Sequence, residues 1–337
     1  MEVEQSQIVI ISPLQRKMVN NPINIVCATD DNYAPYCGVM LTSVFENNKE
    51  RDVHAFILVD KSLSKDSLRK MAQLACKYGQ TIEYCQVDNS IFKKYPLRGF
   101  GAENGQWSIV TYYRLFAEDI LPETIDSVLY LDCDIIVDGE IGHLFDMDWT
   151  DVAAGVAPDQ SYNLKEFYER LQYDEAKGYF NAGMVFINLK YWRDHRVGKQ
   201  CMEYLQNHYD RIWNNDQDVL NAVLCDYKRT LPVSYNFQVQ FLMPYFYDTY
   251  SEEIQQDILH TSHPLIIHYA CELKPWMAYY YAYPFYDTWQ RYKRLSPWKC
   301  KADQLPKTRK LVAWVKRYII WPFGIWLKKP ELIKNSI

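Results

Sequence analysis

Two aspartates separated by a single residue, Asp132 and Asp134, follow the short apolar run Val128–Leu131. On an extended chain, residues i and i+2 project to the same side, with their backbones about 6–7 Å apart. Both carboxylates can therefore approach one cation. A hard divalent ion held by carboxylates can neutralise a diphosphate and make it a better leaving group. The same tripeptide also occurs in ordinary solvated turns, so its meaning depends on its surroundings.

Two side chains further along the chain could complete such a site. His268 ends the apolar run Leu265–His268 and is a candidate third metal ligand, although a lone histidine after a strand is more often a core or capping residue. Lys274 follows shortly afterwards. A lysine near a diphosphate can stabilise the charge that develops on the departing phosphate, whereas most lysines lie at the surface. This set of residue types favours transfer chemistry on a diphosphate.

Apolar runs alternate with helical patterns in the first part of the chain. Strands are predicted at Ile23–Ala28, His54–Val59, Thr81–Val87 and Val128–Leu131, with helices between them at about 35–46 and 64–79. This alternation is typical of a mostly parallel sheet flanked by helices, an α/β fold whose ligands bind beyond the carboxyl ends of the strands. Asp30, after the first strand, and Asp132 are expected at that edge.

The remaining elements and the domain limits follow from the same patterns. Helices are predicted at Ser108–Asp119, Tyr191–Tyr209 and Asp216–Cys225, and strands at Phe180–Leu189 and Leu265–His268. In the helix that begins at Ser64, the residues expected on one buried face are Leu68, Met71, Leu74 and Tyr78. The predicted organisation is a leader over residues 1–21, a catalytic domain over 22–290 and a C-terminal segment over 291–337.

The composition excludes several classes of protein. A formal net charge of −5 argues against a nucleic-acid binder. Nine cysteines, without a CxxC pair, indicate reduced thiols and a cytoplasmic protein. The acidic start of the chain does not match an export signal, and the apolar runs are too short to cross a membrane.

The C-terminal segment combines basic and aromatic residues, which is typical of a helix lying in a membrane interface. The basic residues are Lys301, Lys307, Arg309, Lys310, Lys316, Arg317, Lys328 and Lys329, and the aromatic ones are Trp314, Tyr318, Trp321, Phe323 and Trp326. We therefore expect an anionic membrane surface as a partner. The alternative is a helix packed on the catalytic domain with its charges in water.

Several short motifs occur in a characteristic order. They are Asp30-Asp31-Asn32-Tyr33, Arg114 in Thr111–Leu115, Asp132-Cys133-Asp134, Phe180-Asn181-Ala182-Gly183, Asp216-Gln217-Asp218, and His268 with Lys274-Pro275-Trp276. Over about 23–276 this ordered set resembles glycosyltransferase family 8, which includes the galactosyl- and glucosyltransferases of bacterial lipopolysaccharide and lipooligosaccharide cores. The chain departs from several members in one place. In those members a glycine follows the histidine of the last motif within three residues, whereas here the segment runs Ala270-Cys271-Glu272.

The resemblance implies a GT-A fold and a hexose transfer from a UDP-sugar, galactose or glucose, to a glycan acceptor that could be lipid-linked. It places Mn²⁺, or Mg²⁺ as a substitute, on Asp132, Asp134 and His268. The implied nucleotide-sugar contacts are Ala28, Asp30, Asn32, Tyr33, Asp132, Cys133, Asn181 and Lys274. The residues that match positions around the donor sugar and reaction centre are Arg114, Asn181, Asp216 and Gln217.

The family retains the anomeric configuration. A two-step route would need a carboxylate nucleophile, and the matching residue is the amide Gln217. We therefore expect front-side attack, with Asp216 as a transient nucleophile in the alternative route. Two other readings of the chain remain: an aspartyl phosphatase that uses Asp132 as its nucleophile, and a sugar-binding protein without turnover.

Overall fold

The structure is a computed structural model that describes residues 10–11, 21–60, 63–95, 97, 108–242, 250–270, 274–277 and 284–298. An eight-stranded sheet lies at its centre, with strands in the order β1-β4-β3-β2-β5-β8-β7-β9. Its strands are β1 Ile10–Ile11, β2 Ile23–Thr29, β3 Val53–Val59, β4 Thr81–Gln86, β5 Ser127–Leu131, β7 Ala154–Pro158, β8 Phe180–Asn188 and β9 Lys228–Thr230. A second sheet, in the order β10-β11-β6, consists of β6 Ile135–Val137, β10 Phe237–Gln238 and β11 Ile266–His268.

The first part of the sheet is parallel, as the alternating pattern predicts. Strand β2 pairs in parallel with β3 and β5, and β3 pairs in parallel with β4. Strand β8 instead runs antiparallel to both of its neighbours, β5 and β7. The mixed sheet therefore brings the Asn181-Ala182-Gly183 segment, at the start of β8, against the end of β5. Within the predicted leader, β1 adds an antiparallel edge strand beside β4.

Ten α-helices flank the sheets in the part of the chain that the structure describes. They are α1 Ala34–Asn47, α2 Lys65–Tyr78, α3 Ala117–Ile120, α4 His143–Asp146, α5 Lys165–Leu171, α6 Leu189–His195, α7 Val197–Asn207, α8 Asn215–Leu224, α9 Glu252–His260 and α10 Tyr286–Leu295. Alternate residues of β2 belong to different clusters of buried side chains, Ile25 and Cys27 to one and Val26 and Ala28 to the other. Both faces of this strand are thus covered.

Helix α2 has the ends that the sequence predicts. Ser64 accepts a hydrogen bond from the Ser67 amide, and Gly79 closes the helix in the left-handed conformation with φ +66°. The predicted buried face is wrong at Leu68, which is 36% exposed, because Ser67 occupies the buried position instead. Asp31 explains this, since its carboxylate accepts hydrogen bonds from the Ser67 hydroxyl and the Ser64 amide.

Two segments that were each predicted as a single helix are divided into two helices in the structure. The segment predicted as one helix over 108–119 is a 3₁₀ helix at Ile109–Phe116 followed by α3. The helix predicted over 191–209 is broken at Arg196, where φ is +54° and α6 ends before α7 begins. The Glu118 carboxylate packs against this break, where a Cβ added to Gly198 would lie 3.0 Å from its Oε1 atom.

The described chain stays packed against the domain as far as Trp298. Helix α10 spans the predicted limit, and Arg291 and the Tyr292 hydroxyl both contact Asp138. Trp298 is buried against Gly38 of α1, where a side chain would collide with the indole ring. Residues 299–337, with the basic and aromatic segment, lie outside the described residues.

Candidate functional site

A cavity of about 650 Å³ opens at the carboxyl ends of β2 and β5, at the edge of the sheet where ligands were expected. It brings together twelve predicted site residues from seven separate stretches of chain: Ala28, Asp30, Tyr33, Arg114, Asp132, Cys133, Asp134, Asn181, Asp216, Gln217, His268 and Lys274. The exposed Asn32 does not line it.

Asp132, Asp134 and His268 form a compact group, with one potential ligand atom of each within 4.8 Å of the others. Strand β5 delivers the aspartates, and β11 lies beside β6, so that His268 pairs with Ile135. Two carboxylates and an imidazole are a donor set that fits a divalent transition metal. His268 is further held through its Nδ1 atom, 2.9 Å from Oδ1 of Asn236, which leaves its Nε2 atom directed at Asp134 at 3.3 Å.

Lys274 lies within this group. Its Nζ atom donates to Oδ2 of Asp134 at 2.6 Å and to the carbonyl of Tyr269 at 2.8 Å. Burial by itself would raise the pKa of Asp134, but the positive Lys274 and the His268 ring hold that pKa well below its usual range. Asp134 is therefore ionised, as a metal ligand must be.

A buried arginine joins the metal group to the rest of the cavity. Arg114 is 4% exposed and donates from one end of its guanidinium to Asp132, at 2.8 Å, while its Nε atom forms an ion pair with Oδ2 of Asp216, at 2.9 Å. It also lies over the ring of Tyr130, 3.9 Å from the centroid. Burial would lower the pKa of Arg114, but the two carboxylates raise it, so this cation is permanent.

The pKa of the Asp216 carboxyl is shifted by its burial. Burial raises its pKa to about 6, although Arg114 and a hydrogen bond from the Thr111 hydroxyl act in the opposite direction. One of its oxygens accepts the Thr111 hydrogen bond, and the other forms an ion pair with Arg114. The carboxylate is thus held as an oriented acceptor at the cavity wall.

The amide of Gln217 is engaged on both sides. Its Oε1 atom accepts from the amide of Ala182, at 3.0 Å, and from Nδ2 of Asn181, at 3.2 Å. Its Nε2 atom donates to Oδ2 of Asp159, at 3.2 Å, and to the Tyr179 hydroxyl, at 3.1 Å. Two acceptor sites and two protons are all that a primary amide has, so Gln217 is fixed in one orientation.

The neighbouring Asp218 is a structural anchor. Its side chain is fully buried and pairs with Arg170 at 2.7 Å. It also accepts from the Tyr179 hydroxyl, at 2.7 Å, and from the amides of Trp213 and Asn214, at 2.6 and 2.8 Å. These bonds hold the start of α8, and with it Asp216 and Gln217, at the cavity.

The loop after β2 forms the opposite end of the cavity. Asp30 accepts from the Tyr33 amide at 2.9 Å, which closes a tight turn before α1. The ring of Tyr33 contacts Trp276 edge-on at 6.2 Å, and Trp276 stacks on Tyr36 with 3.7 Å between the ring centroids. This stack holds the segment that carries Lys274 against α1. Residues 271–273, including Glu272, lie outside the described chain.

Comparison with known proteins identifies this arrangement. Residues 24–279 match the model of the family described as glycosyl transferase family 8. The chain belongs to this family.

Two relatives and one solved structure illustrate the match. The chain is 28% identical over 279 residues to a lipopolysaccharide 1,2-glucosyltransferase of Escherichia coli, covering 82% of this chain and 79% of the relative. It is 30% identical over 282 residues to the lipopolysaccharide 1,3-galactosyltransferase of Salmonella typhimurium, with coverages of 82% and 79%. The crystal structure of the galactosyltransferase LgtC with donor and acceptor sugar analogues matches with a TM-score of 0.70 and 26% identity, over 86% of this chain and 99% of that one.

Several residues that the sequence did not single out hold the side chains of the family 8 cavity in place. Asp159 and Asn236 bond to Asn181, and Thr111 and Tyr130 hold Asp216 and Asp132. Asn236 lies between Tyr235 and Phe237 and carries no recognisable motif. Thr111 could have been found, since it precedes Arg114 by one turn of a 3₁₀ helix.

Gly183 is required for the close approach of two elements. An added Cβ atom would lie 2.2 Å from Cε1 and 2.8 Å from Nδ1 of His268. The backbone of Gly183 also accepts from the Asp132 amide at 2.8 Å. A glycine here lets β8 contact two of the metal-ligand candidates, Asp132 and His268.

No helix in the described part of the chain is both long and apolar enough to span a bilayer.

Proposed function

We propose that this family 8 glycosyltransferase moves a hexose, galactose or glucose, from a UDP-sugar to a sugar acceptor of a lipopolysaccharide-type or other surface glycan. The observation that carries the proposal is the convergence of Asp132, Asp134 and His268 in a cavity that also contains Lys274. The similarity to the two lipopolysaccharide hexosyltransferases supports the choice of substrates.

The donor would extend from the loop after β2 to the start of α8. Ala28, Asp30 and Tyr33 line the end proposed for the uridine, and Cys133 donates to the Ala28 carbonyl at 3.3 Å. Asn32 remains a prediction from the resemblance. A divalent ion, proposed as Mn²⁺, would be held by Asp132, Asp134 and His268, and it would neutralise the diphosphate.

The chain's own residues favour retention by front-side attack. Gln217 has its oxygen and nitrogen engaged by four partners, and both oxygens of Asp216 are bonded. In the proposed step, the bond from the anomeric carbon to the phosphate oxygen breaks and the bond to the acceptor oxygen forms on the same face. The acceptor's proton passes to the departing phosphate. Lys274 would stabilise the negative charge on that phosphate.

A donor screen tests this function. UDP-galactose and UDP-glucose should be hydrolysed slowly with Mn²⁺, EDTA should stop the reaction reversibly, and Asp134→Asn should abolish it. Asp146→Asn is the control, because Asp146 pairs with Arg51 on the surface. Hydrolysis of a phosphomonoester instead would favour a phosphatase, and stable binding of UDP without turnover would favour a sugar-binding protein.

The stereochemistry is tested by NMR on the transferred sugar. An α-linked donor should give an α-linked product. A β-linked product would contradict the front-side route.

The C-terminal segment is proposed as a reversible anchor on the cytoplasmic face of the inner membrane, where a lipid-linked acceptor would be reached. Each basic residue near an anionic leaflet contributes up to about 1 kcal/mol. Deletion after Lys299 should abolish sedimentation with anionic liposomes at low salt and spare UDP-sugar hydrolysis. If the shortened protein still sediments, the segment is not the anchor.

A further inference from the structure

A buried asparagine fixes which nitrogen of His268 carries its proton. Asn236 is fully buried, and its side chain lies between His268 and Asn181. Because the two ends of an asparagine amide look alike, the direction of its hydrogen bonds must be derived from partners whose roles are known.

The derivation begins at Gly183, whose backbone N–H can only donate. It lies 2.9 Å from Oδ1 of Asn181, so this atom is an acceptor, and the Nδ2 atom of Asn181 faces the Asp159 carboxylate at 2.9 Å. Asn236 presents one side-chain atom to Oδ1 of Asn181, at 2.9 Å, and to the Asn181 carbonyl, at 3.5 Å. Facing two acceptors, that atom must be the nitrogen.

The other end of Asn236 is therefore its oxygen, and it lies 2.9 Å from Nδ1 of His268. An amide oxygen accepts only, so Nδ1 of the neutral ring carries the proton. The lone pair of the ring is then on Nε2, the nitrogen that faces Asp134.

We propose that Asn236 is a positioning residue for the metal site: it holds His268 in the tautomer and orientation in which Nε2 can bind the ion. Partners of this kind act through the ligand, and their loss commonly weakens metal affinity by about 10–100-fold. The inference rests on the proposed metal site. Through Asn181 the same amide chain continues to Gln217, so the metal ligand and the reaction centre share one hydrogen-bonded support.

The tautomer is measured without metal. Protein labelled with ¹⁵N-histidine is studied in EDTA by long-range proton–nitrogen NMR. The chain has seven histidines, and the signals of His268 are those that disappear in the variant His268→Gln. We expect Nδ1 to carry a proton that it donates to Asn236. An unprotonated Nδ1 in the wild-type apoprotein would overturn the proposal, whatever the metal affinity.

The metal affinity is measured by the EPR signal of free Mn²⁺. Asn236→Leu should raise the Kd about 10–100-fold and release the tautomer preference. Asn236→Asp, which keeps an acceptor opposite Nδ1, should preserve the tautomer and stay within about tenfold of the wild-type Kd. A folded Asn236→Leu with the wild-type Kd would overturn the proposal, as would an Asn236→Asp that loses the Nδ1 proton.

Asn48→Leu is the matched control. Asn48 is also a buried asparagine bonded to backbone atoms, at Val44 and Ile141. Asn48→Leu should lower the free energy of unfolding without changing the His268 tautomer or the Kd for Mn²⁺. If it raised the Kd as much as Asn236→Leu does, the effect would be a general one of losing a buried amide, and the proposal would be overturned. If the wild type binds no Mn²⁺, the metal site fails, while the tautomer measurement still decides the role of Asn236.

Discussion

Gly183 offers a sharp test of the site because the space beside it can be measured. In Gly183→Ala the new Cβ would lie 2.2 Å from Cε1 of His268. An ordinary carbon–carbon contact is about 3.5 Å or more, so the ring or the strand must move by roughly 1.3 Å. A misplacement of about 1 Å in a catalytic site can cost about 10²-fold in rate, which corresponds to about 2.7 kcal/mol.

We therefore expect kcat/KM for sugar transfer to fall about 10²-fold in Gly183→Ala, with a weaker Mn²⁺ affinity measured by EPR. Gly155→Ala is the control for crowding alone. Gly155 lies on β7, where an added Cβ would be 2.3 Å from the Trp149 ring. Both variants should lose stability, but the control should keep its Mn²⁺ affinity. Wild-type kinetics and affinity in a folded Gly183→Ala would refute the reasoning.

Three further predictions concern charges at the cavity. Lys274→Ala should lower kcat about 10²-fold with a small effect on KM, because its ammonium lies beside Asp134, where the diphosphate is proposed to bind, and an unchanged kcat would make it a bystander. Arg114→Met should lower the free energy of unfolding by about 3 kcal/mol in urea titrations with EDTA, since Asp132 and Asp216 lose their shared cation; a loss below about 1 kcal/mol would contradict this. Because burial raises the pKa of Asp216 from 3.8 to about 6, the folded state binds the extra proton, and this contribution to stability is lost as the pH rises through about 6. Asp216→Asn should therefore become more stable relative to wild type between about pH 4 and 6 in urea titrations, and parallel stability curves would count against the shifted pKa.

Local patterns in the sequence were sufficient for the elements that are built from neighbouring residues. The parallel strands β2, β3 and β4 and the ends of α2 follow from apolar runs and from Ser64 and Gly79, which act on their own backbone. The ordered motifs also placed twelve of the cavity residues, because several motifs lie where a strand ends or a helix begins. The break at Arg196 was missed, since an arginine that adopts the left-handed conformation leaves no recognisable signal in the sequence.

What the sequence by itself determined was the chemical inventory of the site: two aspartates at the end of a strand, a histidine, a lysine and the family that orders them. Only the tertiary structure decided how these groups constrain one another. Arg114 meets Asp132 and Asp216 across 18 and 102 residues of chain, and Asn236 reaches Asn181 across 55. Hydrogen bonds between side chains so far apart leave no periodicity in the sequence. Which side chains meet depends on which strands pair. Here the antiparallel β8 brings Asn181 and Gly183 beside β5.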